Sequence, residues 1–225
     1  MRRASAALSA REGYRLWAPR YEAETVVSCL ENRVVDSLAI ATVDRLLLDV
    51  GCGTGRRLRD RGAAIALGIG ASLDMLRLAP RGQRFAAADV RALPFAAGSF
   101  DVVWCRLVIG HVRDLELAYS ELSRVCRTGG AVIVSDLSAE AFAAGHRRTF
   151  RDSHGEVHEV EHVVHALGRQ VAVARSAGLE LETRRNGVVD SSVKQFYAEA
   201  GRLLAYEEQR GLPLVYAVVF RRRSA

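Results

Sequence analysis

An α/β fold, a parallel sheet with helices on both faces, is what this 225-residue sequence predicts. Three observations carry the prediction. Short continuous apolar runs recur along the chain, helix-length mixtures of polar and apolar residues separate them, and the first run ends in a glycine-rich turn. Residues 5–43 alternate apolar and charged groups at helical spacing and predict two or three helices. The runs RLLLDV (45–50), IALGIG (65–70), RFAAAD (84–89), FDVVWCRLV (100–108) and AVIVSD (131–136) then read as buried strands. DLELAYSELSRVCR (114–127) predicts an amphipathic helix with Leu115, Ala118, Leu122 and Val125 in one stripe, closed by TGG at Gly129. Residues 140–162 are polar and histidine-rich, and TFRD with EVHEVEHVV predicts a small hairpin. ALGRQVAVARSAG (166–178) reads as a helix closed by Gly178, LELETRR as a strand, VKQFYAEAGRLLAYEEQR as a helix up to Gly211, and LVYAVVFRR (214–222) as the terminal strand.

The length and the absence of a low-complexity linker predict one domain over 1–225. No apolar run reaches the roughly 18 residues that span a bilayer. Ser5, Ser9, Arg11 and Glu12 interrupt the apolar core that a secretory leader needs, so the cytoplasm is the expected location. Cys29, Cys52, Cys105 and Cys126 form no C-x-x-C pair and no metal-ligand spacing with histidine, and are expected to be free thiols. The net charge is +6, carried almost wholly by arginine. It suits an anionic substrate or an acidic partner. No recognition helix, zinc finger or aromatic RNA-binding motif argues for nucleic acid. Arg221–Arg223 read as a solvated tail.

LLLDVGCGTG carries the first chemistry. Gly51, Gly53 and Gly55 let the backbone turn sharply and lie against a ligand, and the helix expected to follow would offer free N–H groups to an anion. A dinucleotide fingerprint needs a third glycine where Arg56 stands, and no Lys-Ser/Thr pair follows to make a phosphate loop. With GIGASLDMLRLA, AAADVRALPFAAGSFDVVWCRLVIGHV and ELSRVCRTGGAVIVSDLS in order behind it, the chain resembles the class I S-adenosylmethionine-dependent methyltransferases of the small-molecule "type 11" kind, similar to quinone- and biotin-pathway methylases. The resemblance covers most of the chain. It implies a Rossmann-like, mostly parallel seven-stranded sheet with an antiparallel terminal strand, and S-adenosyl-L-methionine as cofactor with S-adenosyl-L-homocysteine as product.

It also implies site residues. Asp49, Gly51, Cys52 and Gly53 would support the methionine end. Asp89 would accept from the adenine amino group beside Val90, and Cys105 and Arg106 would border the methionine moiety through their backbone, Arg106 on the substrate side. Residues 1–43 would form a helical lid, with Tyr21 on the cofactor and Tyr14 and Trp17 on the substrate. Residues 140–165 would cap the substrate, with one or two of His146, His154, His158, His162 and His165 facing it and His154 the named candidate. Asp101 starts a strand and reads as structural. One position departs from the family pattern: Gly70, followed by Ala71, stands where the ribose-binding acid belongs. The ribose grip is then expected to be filled by water or by a group from another segment, and Gly70→Asp to tighten binding.

The acceptor is the least legible part. His111, just beyond the fourth strand, is the candidate base or substrate contact. The spacing of His146, His154, His158, His162 and His165 predicts no metal site. Three functions follow: methyl transfer to the O, N or C of a small molecule, methylation of an acyl group on an acidic carrier protein, or a fold that binds without catalysis.

Overall fold

The structure, a computed structural model, describes residues 6–59 and 61–224. Residues 1–5 of the expected lid, and Ala225, lie outside the described residues. The strands are β1 (Leu46–Val50), β2 (Ile65–Gly70), β3 (Arg84–Ala87), β4 (Phe100–Arg106), β5 (Cys126–Leu137), β6 (Thr149–Arg151), β7 (Val157–Glu159), β8 (Leu179–Val188) and β9 (Pro213–Arg222). The helices are α1 (Ala10–Trp17), α2 (Val26–Ser37), α3 (Leu73–Leu76), α4 (Leu115–Val125), α5 (Ala139–Ala143), α6 (Leu167–Ser176), α7 (Lys194–Glu199) and α8 (Leu203–Gln209).

Seven strands form one sheet in the order β3-β2-β1-β4-β5-β9-β8. Pairing is parallel from β3 to β5, and β9 runs antiparallel between β5 and β8, as expected. Strand alternation splits the core in two. Leu48, Val50, Val103 and Cys105 face α4 and α6, whereas Leu47, Val102, Trp104 and Ile133 face α2 and the C-terminal helices. The α4 stripe of Leu115, Ala118, Leu122 and Val125 is wholly buried. Asp114 caps α4 by accepting from the Leu117 N–H at 3.0 Å. Thr25 and Ser28 form a reciprocal capping box at the start of α2.

Several local expectations fail for physical reasons. The glycine turn leads not into a helix but into a short 3-10 turn, Arg56–Leu58, after which Arg59 is extended. The connection to β2 is brief and arginine-rich. The α4 helix stops at Val125, not at Gly129, because Cys126 turns extended and pairs with Phe100. VKQFYAEAGRLLAYEEQR breaks into α7 and α8 at Gly201, which adopts φ +66°. The hairpin pairs Thr149–Arg151 with Val157–Glu159 only, a shorter ladder than expected. The C-terminal arginines are not a free tail: Arg221 pairs with Glu182 and Arg223 with Glu180, both on β8. Asp101 is structural as expected, accepting from the Leu46 N–H at 2.7 Å and pairing with Arg127.

The lid and the cap are one unit. The Leu8 N–H donates to the Glu159 carbonyl and the Glu161 N–H to the Leu8 carbonyl, each at 2.8 Å. Trp17 stacks on Phe150 with ring centroids 5.1 Å apart. Gly13 lies so close to Val160 that a Cβ would fall 2.7 Å from its Cγ2.

Candidate active site

Two cavities open at the carboxyl ends of the parallel strands, where open α/β sheets bind ligands. The smaller, about 310 Å³, is walled by the glycine turn (Gly51, Gly53), the end of β2 (Gly70–Ser72), Met75, the end of β4 (Arg106–Val108), His111, and Ala10, Arg11, Tyr14 and Tyr21 of the lid. Gly51, Gly53 and Gly55 have φ of +77°, +59° and +74°, which side chains resist. A Cβ on Gly51 would also strike the Val108 side chain. Tyr21 closes over the turn, its Cε1 3.2 Å from where a Gly53 Cβ would sit. The Arg56 guanidinium lies over the Tyr21 ring and donates to the Glu22 carbonyl at 3.2 Å, so the turn itself anchors the lid.

The larger cavity, about 620 Å³, lies between the cap, α7 and the start of α2, and shares Tyr21 and Leu107 with the first. Leu107 holds φ +58°, a strained conformation for a branched residue, while its N–H donates to the Ser135 carbonyl at 2.8 Å. Arg56, Arg57, Arg147, Arg148 and Arg202 line this cavity against a single acid, Glu159.

A polar chain joins the two cavities. His111 Nδ1 lies 3.0 Å from the Glu161 carbonyl and must carry the proton, so Nε2 accepts from the Tyr14 hydroxyl at 3.0 Å. The Tyr14 oxygen accepts in turn from Arg148 Nη1 at 3.2 Å. Arg148 donates its other nitrogens to Asp136 Oδ1 at 2.7 Å and His162 Nδ1 at 3.2 Å. Burial, with Arg148 nearby, drives the His111 pKa down to about 3, and burial raises Tyr14 to about 12. Burial opposes ionisation of Asp136, but Arg148 and His162 outweigh it and hold its pKa below the usual value.

Of the expected cofactor residues, Tyr21, Gly51, Gly53, Gly70 and Ala71 line the smaller cavity. Asp49, Cys52, Asp89, Val90 and Cys105 line neither. Asp49 is fully buried beneath the turn, with both carboxylate oxygens unpartnered, and burial lifts its pKa to about 6 against the pull of Arg57 and Arg106. Cys52 and Cys105 are buried thiols whose pKa burial raises. Asp89 is held bidentately by Arg91, at 2.9 and 2.7 Å.

The expected substrate residues divide. Trp17 lines the larger cavity, whereas Tyr14 and His111 line the smaller. His154 is exposed at the hairpin turn and lines neither; its reading as a substrate contact is corrected. Arg106 borders the smaller cavity, and its guanidinium runs beneath the sheet to Glu31, with both bonds at 2.8 Å. The alternation of β4 decides this, since Arg106 follows Val102 and Trp104 onto the α2 face. Near the hairpin, Asp152, Glu156 and His158 offer ligand atoms within 4.8 Å of one another, but Asp152 already accepts from His158 Nε2 and from the His154 and Glu156 N–H groups.

Sequence reasoning missed Arg148, Arg202, Leu107 and Met75, while His146, one of the clustered histidines, does line the larger cavity. Arg148 sits in HRRTF, where nothing local separates it from Arg147; only the fold selects which of the two is buried.

A methyltransferase domain matches residues 48–134. The chain is 39% identical over 107 residues to the malonyl-[acyl-carrier protein] O-methyltransferase of Pseudescherichia vulneris, covering 45% of this chain and 42% of that one. It is 30% identical over 174 residues to the Enterobacter lignolyticus protein of the same name, covering 73% and 66%. The chain thus spans about two thirds or less of these relatives' lengths. Among solved structures, an S-adenosylmethionine-dependent methyltransferase from Mesorhizobium loti shares the fold, with a TM-score of 0.69 at 20% identity over 88% of this chain and all of that one. Among the described residues no helix is long and apolar enough to cross a membrane. With its motifs, its sheet order and these relatives in agreement, the chain belongs to the class I S-adenosylmethionine-dependent methyltransferases.

Proposed function

We propose that this chain methylates the carboxylate oxygen of an anionic acyl group, presented as a thioester on a carrier protein, with S-adenosylmethionine as donor. The observation that carries the reading is the larger cavity: five arginines and one glutamate line it, and its wall meets the smaller cavity at Tyr21 and Leu107. The name shared by the relatives supports the same acceptor class.

The smaller cavity fits the cofactor. Its volume lies at the lower end of the roughly 300–1,000 Å³ usual for ligand pockets. Gly51 and Gly53 form a cradle that Cβ atoms would fill, and the two orphaned Asp49 oxygens wait for donors that the cofactor's ammonium end would supply, directly or through water. When bound, S-adenosylmethionine supplies a methyl carbon activated by a sulfonium, which an ionised carboxylate takes without any proton transfer.

The protein's own part is to bind, align and exclude water. The Arg148 guanidinium, fixed by Asp136, His162 and Tyr14, uses three of its five N–H groups on the protein and leaves two for an anion. His111 is a positioning residue, not the base: its acceptor nitrogen already holds the Tyr14 hydroxyl, and a pKa of about 3 makes it a poor proton acceptor near neutrality. An acceptor that needs no deprotonation suits this site. The free thiols among the described residues suit a reducing compartment, and we place the activity in the cytoplasm.

The test is transfer of labelled methyl from S-adenosylmethionine to a carrier protein loaded with malonyl, succinyl or neutral acyl chains. A base-labile methyl ester on the dicarboxylic acyl chains, lost in Arg148→Met, is the expected result. Binding of S-adenosylhomocysteine with methylation of neutral amines or phenols only would refute the carboxylate reading.

A further inference from the structure

We propose that Arg11 on α1, with Ser72, takes over the ribose-binding role of the missing strand-end carboxylate, so that the ribose end of the cofactor cavity is a donor site that favours negative charge on the ribose. The inference rests on the reading of the smaller cavity as the cofactor's.

Four observations support it. A Cβ built on Gly70 meets only Leu76 Cδ2, at 3.8 Å, so the residue is not kept small by a protein neighbour and a space remains where an acid would project. No acidic residue lines this cavity. Arg11 lines the same cavity, and its side chain has no hydrogen bond or ion pair to a described residue. Finally, α1 packs against α3, the short helix that begins directly after Gly70–Ser72, which brings the lid to that end of the cavity. Ser72 also lines it; its oxygen accepts from the Met75 N–H at 3.4 Å and leaves its own O–H free to donate.

A carboxylate at the end of β2 would accept from the two ribose hydroxyls. Here the polarity is reversed: a guanidinium and a hydroxyl donate to the ribose oxygens. The unsubstituted ribose still binds, since its hydroxyls accept as well as donate. A phosphate on the 2′- or 3′-oxygen, which a carboxylate there would repel, instead meets a cation. The ligand also becomes dependent on the lid, because Arg11 belongs to the N-terminal helix and not to the sheet.

The experiment is calorimetric titration of the full chain with S-adenosylhomocysteine, adenosine, adenosine 2′-monophosphate and adenosine 3′-monophosphate. Arg11→Ala should weaken S-adenosylhomocysteine binding by about tenfold, the usual worth of a hydrogen bond from a charged donor, and Arg11→Lys should restore part of it. The wild type should prefer at least one of the ribose phosphates over adenosine; Arg11→Ala should abolish that preference and Gly70→Asp should reverse it. A folded Arg11→Ala with unchanged S-adenosylhomocysteine affinity, or a wild type that prefers adenosine to both nucleotides, overturns the proposal. Absence of S-adenosylhomocysteine binding to the wild type overturns the cofactor reading with it, whereas binding that ignores Arg11 overturns this proposal alone.

Discussion

Replacing Glu31 by glutamine tests whether Arg106 is a beam of the fold or a substrate contact. Glu31 has no exposed surface, and its carboxylate accepts from Arg106 Nε and Nη2, both at 2.8 Å, and from the Ser135 hydroxyl at 2.5 Å. Arg57 Nη2 adds a second cation at 3.4 Å. Burial alone would raise the Glu31 pKa, but Arg106 and Arg57 more than offset it and hold the carboxyl at about 2. Glu31→Gln keeps the shape and removes the charge, leaving two buried guanidinium groups without their shared anion. Breaking a buried pair from one side costs about 3–5 kcal/mol. In a chain of this size each kcal/mol moves Tm by about 2–4 °C, so Tm should fall by roughly 6–20 °C. Arg106→Met should fall comparably, and Glu31→Leu with Arg106→Met should lose less than the sum of the two single changes, because the pair leaves together. The native carboxyl titrates below its ordinary value of 4.5, so this stabilisation is fully present above pH 4.5 and fades as pH drops towards 2. Thermal melts across pH 3–8, run with acceptor KM, decide the matter. An Arg106→Met protein that keeps its Tm but raises acceptor KM would refute the structural role.

Asp49 titrates the other way: raised from 3.8 to about 6, it stabilises the fold below pH 3.8 and loses that contribution as pH rises through 6. Asp49→Asn should therefore stabilise the ligand-free chain at pH 8 by up to about 3 kcal/mol and at pH 4 hardly at all, read as a pH-dependent difference in Tm. Nitrogen-15 NMR of His111 should show a neutral ring protonated on Nδ1 down to pH 5, and an imidazolium signal at pH 6 would contradict its burial behind Tyr14 and Arg148. Gly13→Ala would normally strengthen a helix by about 1 kcal/mol. Here the added methyl meets Val160, so S-adenosylhomocysteine affinity should fall, and Val160→Ala in the same chain should recover it.

The sheet was legible because each buried strand is a short apolar run, and a parallel strand buried on both faces cannot hide that pattern. The glycine turn was legible because its three positive φ values demand glycine. The helix after it was misread: the strand and its glycine turn led to the expectation of one, but among the described residues between Gly55 and Ile65 there is a 3-10 turn and no α-helix. The destination of the Arg106 side chain was not read, because proximity to the site along the chain says nothing about which face of β4 a side chain leaves; parity with Val102 and Trp104 was the available signal. Arg148 and Arg11 were not legible as site residues. Each is one arginine among many, and what singles it out is tertiary: burial against Asp136 for the first, a place on the wall of the smaller cavity for the second.

The pairing of lid and cap bears on how the two cavities work together. Leu8 is hydrogen-bonded to the cap on both sides of Val160, Trp17 stacks on Phe150, and Arg148 of the cap holds the hydroxyl of Tyr14 in the lid. The lid therefore cannot swing off the cofactor cavity without breaking contacts that shape the acceptor cavity. Tyr14 is the closest link, because its hydroxyl receives a proton bond from the residue proposed to meet the acceptor anion and gives one to His111 on the cofactor side. An anion arriving at Arg148 would draw on the same guanidinium that orients Tyr14. Acceptor binding and cofactor enclosure then share one set of bonds, and by linkage each ligand must alter the affinity of the other by the same factor.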